Sequence, residues 1–371
     1  MLTTHRNDLA QLASNNRLRA LTPRTGIDFA SNDYLGLARS DRLRAAVADA
    51  AAEGLAIGSG GSRLLRGNDP EHEALEAEAA AFFQSEAALF FANGYMANVA
   101  LLSTLPQKGD LIVHDEHVHA SAHDGMRLGR AETARVIHND ADAFEAAILA
   151  WRGAGGTGRP WIAVESLYSM DGDMAPLDAL AEIADRHDGF LLIDEAHATG
   201  VFGQDGRGLA ERLHARENVI TLHTCGKGLG CEGALVCGPR VVRDFLVNRG
   251  RSFIFTTAPS PLMARAVRES LRILADEPER RQKLEDLVGV AERELAACGI
   301  APTGSQILPL VLGDDARTMR VAETVQRAGF DVRGIRPPTV PPGTSRLRIS
   351  LTLNVDASDI AALALALGEA L

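Results

Sequence analysis

Along the middle of this chain, short apolar runs alternate with segments of helical period. Trp161-Ile162-Ala163-Val164 is followed by a helical pattern from about Pro176 to His187, then by Phe190-Leu191-Leu192-Ile193 and Val219-Ile220-Thr221-Leu222. This βαβ rhythm predicts an α/β fold built on a mostly parallel sheet with helices on both faces. Ligands of such sheets collect at the carboxyl ends of the strands, and Glu165, Asp194 and Thr224 to Lys227 all fall at such ends. Lys227 lies in Thr224-Cys225-Gly226-Lys227-Gly228, a glycine-hinged loop. A lysine amine is a useful nucleophile only if it can shed its proton near neutral pH, and burial can lower its pKa by up to ~3–5 units. Asp194 begins Asp194-Glu195-Ala196-His197 at the end of a neighbouring run. A lysine that holds an aldehyde and an acid that keeps a ring nitrogen protonated are the two parts a pyridoxal phosphate site combines. Taken singly, a surface lysine and a helix-capping aspartate are the simpler readings; the pair points to chemistry.

The chain has 371 residues, more than one core usually serves, so a large domain with a smaller one is expected. The division is expected as an N-terminal segment 1–38, a large cofactor-binding domain 39–275 and a small C-terminal α+β domain 276–371. The last boundary is placed where helical patterning breaks at Asp276-Glu277-Pro278. With 38 Lys and Arg against 49 Asp and Glu the net charge is −11, which argues against a nucleic-acid or anionic-membrane partner. Cys225, Cys231 and Cys237 are six residues apart and Cys298 stands alone, a pattern of reduced thiols rather than metal ligands or disulfides. The first residues lack an apolar signal core, and no run of eighteen apolar residues occurs. A cytoplasmic protein without a membrane span is the expectation.

The glycines of Gly58-Ser59-Gly60-Gly61-Ser62-Arg63 permit close backbone approach to a ligand, though a flexible turn explains them too. Asn93-Gly94-Tyr95-Met96-Ala97-Asn98 follows the strand-like Ala88 to Phe91 and opens a helix, which would aim free amides at a phosphate. From His114 to His123, four histidines and two carboxylates fall within ten residues and invite a metal-site reading. The pattern of Leu111, Ile112 and Val113 predicts a strand running into a loop, not a helix carrying His119 and His123 on one face, and no His-Glu-x-x-His is present. No metal is therefore expected, and one imidazole stacking on a flat cofactor fits better.

Ser31-Asn32-Asp33-Tyr34-Leu35-Gly36-Leu37, the Gly58 to Arg63 loop, His119-Ala120-Ser121, Glu165 to Asp173, Asp194 to His197, Thr224 to Lys227, Pro337 to Pro341 and Arg346-Leu347-Arg348 together resemble the α-oxoamine synthases. The match runs in order from about residue 31 to 353. The resemblance implies the fold type I architecture of aspartate aminotransferase-like pyridoxal phosphate enzymes and a homodimer with the active site at its interface. It also implies a decarboxylating condensation of an amino acid with an acyl thioester. Residue by residue, it implies that Lys227 carries the cofactor and moves the Cα proton. Asp194 would face the pyridinium nitrogen, His197 the phenolic oxygen and His119 the ring. Gly94, Tyr95 and Thr224 would hold the phosphate, with Thr256 or Thr257 added from the other subunit, and Ser169 would line the pocket. Asn32 and Arg348 would take the amino-acid carboxylate; Arg346 is the competing choice, the two arginines being expected on opposite sides of their strand. Length and the Gly58 to Gly67 and His119 to Gly125 segments are most similar to family members that join L-alanine to a pimeloyl thioester. Glycine- and serine-using relatives share the same catalytic set, and Ser62 to Leu65 is similar to the serine-using ones. Asn354 stands where many relatives have a histidine, and Arg17 and Arg19 are left without a role. Two rivals are a metal-dependent hydrolase on His114, His117, His119 and His123, and a silent binding protein on the same fold.

Overall fold

The computed structural model describes residues 1–371 and divides into two compact units. The larger comprises Leu35–Tyr168 and Met174–Arg281; the smaller comprises Met1–Tyr34, Ser169–Asp173 and Gln282–Leu371.

The larger unit is organised by a seven-stranded sheet: β1 (Ala87–Phe91), β2 (Leu111–Asp115), β3 (Glu132–Val136), β4 (Pro160–Glu165), β5 (Phe190–Asp194), β6 (Val219–Thr224) and β7 (Ala234–Gly238). Their spatial order is β1-β7-β6-β5-β4-β2-β3, and only β7 runs against its neighbours. The runs read as continuous apolar stretches because both faces are covered. Ile112, Leu192 and Ile220 face one core, while Leu111, Val113, Leu191, Ile193 and Val219 face the other. That alternation is the period of two that a pleated strand imposes.

Three helices position the site. Helix α1 (Gly94–Thr104) follows β1 and is capped by Asn93, whose side chain accepts from the Met96 amide. Helix α2 (Ala120–Leu128) follows β2, and α3 (Leu177–Arg186) lies between β4 and β5. Helix α2 corrects the loop expected after β2. The reason is His119, whose ring accepts from the Ser121 amide as an N-cap and so starts a helix that the preceding strand pattern does not announce. His123 lies within that helix, but His119 precedes its first turn.

In the smaller unit, β8 (Ile307–Gly313), β9 (Arg333–Ile335) and β10 (Ser345–Ser350) form an antiparallel sheet in the order β9-β10-β8. Asp315–Arg327 and Ala357–Ala370 are its main C-terminal helices. Ile27–Asp28 pairs in parallel with Phe330–Asp331, and the Ser350 amide donates to the Phe29 carbonyl, so the N-terminal segment is stitched to this unit. No helix is long and apolar enough to cross a membrane.

Candidate active site

Because β1, β2, β4, β5 and β6 run the same way, the residues following them emerge on one edge of the sheet: Gly94 and Tyr95, His119, Glu165, Asp194 and His197, and Thr224 to Lys227. Asp194 accepts from the Ala196 amide through Oδ1 (2.9 Å) and from Asn98 Nδ2 through Oδ2 (2.7 Å). Lys227 Nζ lies 2.9 Å from His197 Nε2. The lysine loop is pinned by a Gly230 amide to Lys227 carbonyl bond (2.9 Å) and a Cys231 amide to Cys225 carbonyl bond (2.8 Å). Gly228 is required there, since a Cβ would sit 2.4 Å from the Thr199 carbonyl oxygen.

At the start of α1 the first-turn amides have no partner within the helix. A Cβ on Gly94 would meet Thr224 Cγ2 at 2.6 Å, so glycine lets the amide end of α1 stand against the Thr224 side chain. Backbone N–H groups beside a hydroxyl suit a phosphate. The Tyr95 side chain is directed elsewhere: its hydroxyl donates to Asp124, and its ring meets His119 edge-on at 6.5 Å. His119 is exposed to solvent, yet protein crowds its ring. That burial lowers its pKa, with Asp194 opposing and Lys227 reinforcing the shift. Below these groups a cavity of about 20 Å³, lined by Asn98, His119, Glu165 and Asp194 over Leu192 and Leu222, has room for one water.

In the smaller unit Arg348 is buried. It donates from Nε to the Ser169 carbonyl (2.5 Å) and from Nη1 to Asn32 (3.1 Å) and Ser350 (2.6 Å), while its buried Nη2 has no partner. Ser169 thus meets Arg348 through its backbone. Arg346 is paired with Asp171 and also donates to the Met170 and Thr344 carbonyls. The expectation that the two arginines face opposite sides is wrong: residues two apart on a strand share a face, and both reach the 169–171 segment. Their partners distinguish them. Arg346 has its carboxylate, whereas Arg348 has a donor left for one. Thr256 and Thr257 lie between the helices Arg251–Ile254 and Pro261–Asp276, the first half-buried and the second exposed.

The histidine-rich stretch does not converge. His114 Nδ1 engages the Asp115 carbonyl and His119 caps α2; only His117 joins Asp115 and His138 in a group whose ligand atoms lie within 4.8 Å of one another. The Asp115 carboxylate there already accepts from the His117 and Asn139 amides and meets His138 Nδ1 at 2.9 Å.

Three polar residues around this edge were assigned no role from sequence: Asn98, Ser121 and Glu195. Glu195 is fully buried and accepts from Ser166 Oγ (2.9 Å) and the Leu209 (3.1 Å) and Ala210 (2.5 Å) amides, tying the ends of β4 and β5 to the 208–210 loop. Burial pushes its carboxyl up to about 7, against those three donors and with added repulsion from Asp194. The folded chain therefore holds this proton more tightly than the unfolded chain, whose value is 4.5, and the resulting stability is present at low pH and lost as pH rises from 4.5 toward about 7. Denaturant melts should show Glu195→Gln gaining on the parent by on the order of 2–3 kcal/mol between pH 5 and pH 8. A difference independent of pH would mean that the carboxyl is ionised throughout.

The aminotransferase class I and II family matches residues 24–367. The chain belongs to this family. Its sequence is 43% identical over 337 residues to the 8-amino-7-oxononanoate synthase of Anaeromyxobacter dehalogenans, covering 90% of this chain and 83% of that one. It is 43% identical over 343 residues to the Chromobacterium violaceum enzyme of the same name, covering 92% and 88%. Among solved structures, Sphingomonas wittichii serine palmitoyltransferase superposes with a TM-score of 0.89 at 28% identity, covering 100% of this chain and 98% of that one. The 8-amino-7-oxononanoate synthase of Francisella tularensis gives 0.79 at 27%, covering 93% and 97%. The α-oxoamine synthase resemblance and the fold type I expectation are borne out.

Proposed function

We propose that this chain uses pyridoxal 5'-phosphate to condense L-alanine with a pimeloyl thioester, carried on CoA or an acyl carrier protein, giving 8-amino-7-oxononanoate, the free thiol and CO2. The reaction is a step of biotin biosynthesis and would take place in the cytoplasm. The observation that carries this reading is 43% identity across 90% of the chain to proteins of that name.

The residues fit the cofactor: a glycine whose added Cβ would press on the Thr224 methyl stands at a helix N-terminus, and a carboxylate and a lysine share the same sheet edge. When bound, the cofactor supplies an electron sink for negative charge at the amino acid's Cα. Lys227 would hold the cofactor, then take the Cα proton on Nζ and later return it. His197, 2.9 Å from that nitrogen, is placed to exchange a hydrogen bond with it. Asp194 would keep a proton on the ring nitrogen. His119 would cover a ring face and the α1 amides with Thr224 would hold the phosphate. Arg348, with Asn32, would grip the substrate carboxylate through a guanidinium fork that lysine lacks, which fixes the Cα bond that breaks. Arg348→Ala should raise the apparent alanine dissociation constant ~10–100-fold in a spectral titration. An unchanged constant would move the carboxylate elsewhere.

A homodimer belongs to this reading. Ile57, Leu65 and Phe255 are exposed (80%, 84% and 72%) on adjoining loops, joined by Ser59 Oγ to the Pro259 carbonyl and the Ala258 amide to the Gly61 carbonyl. In that dimer Thr256 or Thr257 would reach the phosphate of the second copy.

The TM-score of 0.89 favours a second reading, serine with a long-chain acyl thioester. Backbone likeness reports the fold, whereas substrate choice lies in side chains, so 43% identity outweighs 28%. Titrating the cofactor-loaded protein with glycine, L-alanine and L-serine separates the readings. Alanine should perturb the visible band at the lowest concentration; tighter binding of serine would favour the second reading.

A further inference from the structure

Helix α1 carries more than the phosphate end of the site. One turn beyond Gly94 it presents Asn98, which is buried at 7% exposure. Its amide donates to Asp194 Oδ2 (2.7 Å) and to Ser121 Oγ (3.0 Å). A carboxylate only accepts, so the nitrogen of the amide must face Asp194. Ser121 Oγ, having accepted from Asn98, has its own proton to give, and His119 Nδ1 lies 2.7 Å away. The Ser121 amide points at the same nitrogen (3.2 Å). With two donors converging on Nδ1, neutral His119 carries its hydrogen on Nε2. Asn98 thus heads a directed hydrogen-bond chain to His119 while bracing Asp194 on the side opposite the Ala196 amide. The two helices come close enough for this because residue 125 is glycine: a Cβ there would lie 2.9 Å from the Asn98 carbonyl oxygen and 3.2 Å from Val99 Cα.

We infer that Asn98 is a positioning residue that aims the Asp194 carboxylate at the cofactor's ring nitrogen and, through Ser121, fixes the tautomer of His119. This rests on the pyridoxal phosphate reading above. The charged and titratable groups around Asp194 and its neighbour His119 are Lys227, Glu195 and Glu165, the last in register with Asp194 on β4 and lining the same cavity. None of them replaces the amide, because Lys227 and His119 are needed on the cofactor side and Glu165 and Glu195 are acids. Without the Asn98 donor the carboxylate loses one of its two hydrogen bonds and would be held less firmly toward the ring nitrogen. A ring nitrogen less firmly paired with Asp194 would withdraw less charge from the nitrogen joined to Lys227, which would then keep its proton to higher pH.

The test is the pH midpoint at which the visible band of the lysine-bound cofactor titrates, measured for the parent, Asn98→Leu, Asn98→Ala and Ser121→Ala. Both Asn98 variants should shift the midpoint upward by about half to one pH unit, and Ser121→Ala, which spares the Asp194 contact, by less than about 0.2. A parent without a visible band on adding pyridoxal phosphate would sink the cofactor reading itself. With a normal parent band, an unmoved midpoint in either folded Asn98 variant overturns the inference. So does an equal shift in Ser121→Ala, which would route the effect through His119. If neither Asn98 variant holds cofactor, Asn98 is a structural residue of α1 and the inference is again wrong.

Discussion

Lys227→Ala should yield a folded protein that still binds pyridoxal phosphate at the α1 N-terminus but cannot join it covalently, and whose turnover falls by about three decades or more. The fold should tolerate the change, since the loop after β6 that carries Lys227 keeps the backbone bonds of Cys225, Gly230 and Cys231 when the side chain and its contact with His197 are removed. Two losses combine in the rate: the amine that captures the cofactor and the base that moves the Cα proton are the same atom. Borohydride reduction followed by peptide mass mapping checks the assignment. Label on Lys227 in the parent and none in the variant is expected; label on another lysine would transfer the role.

Asp194→Asn should retain cofactor yet lose about two to three decades in rate, on the order of 2–4 kcal/mol in the barrier. An amide is neutral and cannot keep a proton on the ring nitrogen. The replacement also turns a contact against itself: Asn98 Nδ2, now 2.7 Å from a carboxylate oxygen, would face either an amide oxygen or another donor. Near-normal turnover would mean that Asp194 only caps the end of β5.

The sheet and the residues at its edge were legible because they are local signals. Apolar runs covered on both faces give themselves away; Asp194 follows such a run directly, and Lys227 comes in the loop just after another. The start of α2 was hidden because its cap is a histidine, a residue type that seldom announces a helix. Arg346 and Arg348 share a face by strand periodicity; what separates them is the Asp171 partner of Arg346, some 175 residues away in sequence. Asn98 was equally silent. Its partner Asp194 is 96 residues distant, and no spacing rule connects a helix asparagine to a strand-end aspartate that far along the chain. The backbone periodicities report elements; the polar contacts that finish the site are set only once the parallel strands align.

Substrate choice separates the alanine reading from its rivals most directly. Thiol release and product mass should be measured with L-alanine plus pimeloyl-CoA, glycine plus acetyl-CoA, and L-serine plus palmitoyl-CoA, each at matched concentrations with the cofactor-loaded protein. Alanine with pimeloyl-CoA should give one equivalent each of thiol, CO2 and 8-amino-7-oxononanoate, at a rate at least about tenfold above the other pairs, a barrier difference of about 1.4 kcal/mol. Faster turnover of serine with palmitoyl-CoA, or of glycine with acetyl-CoA, would contradict it.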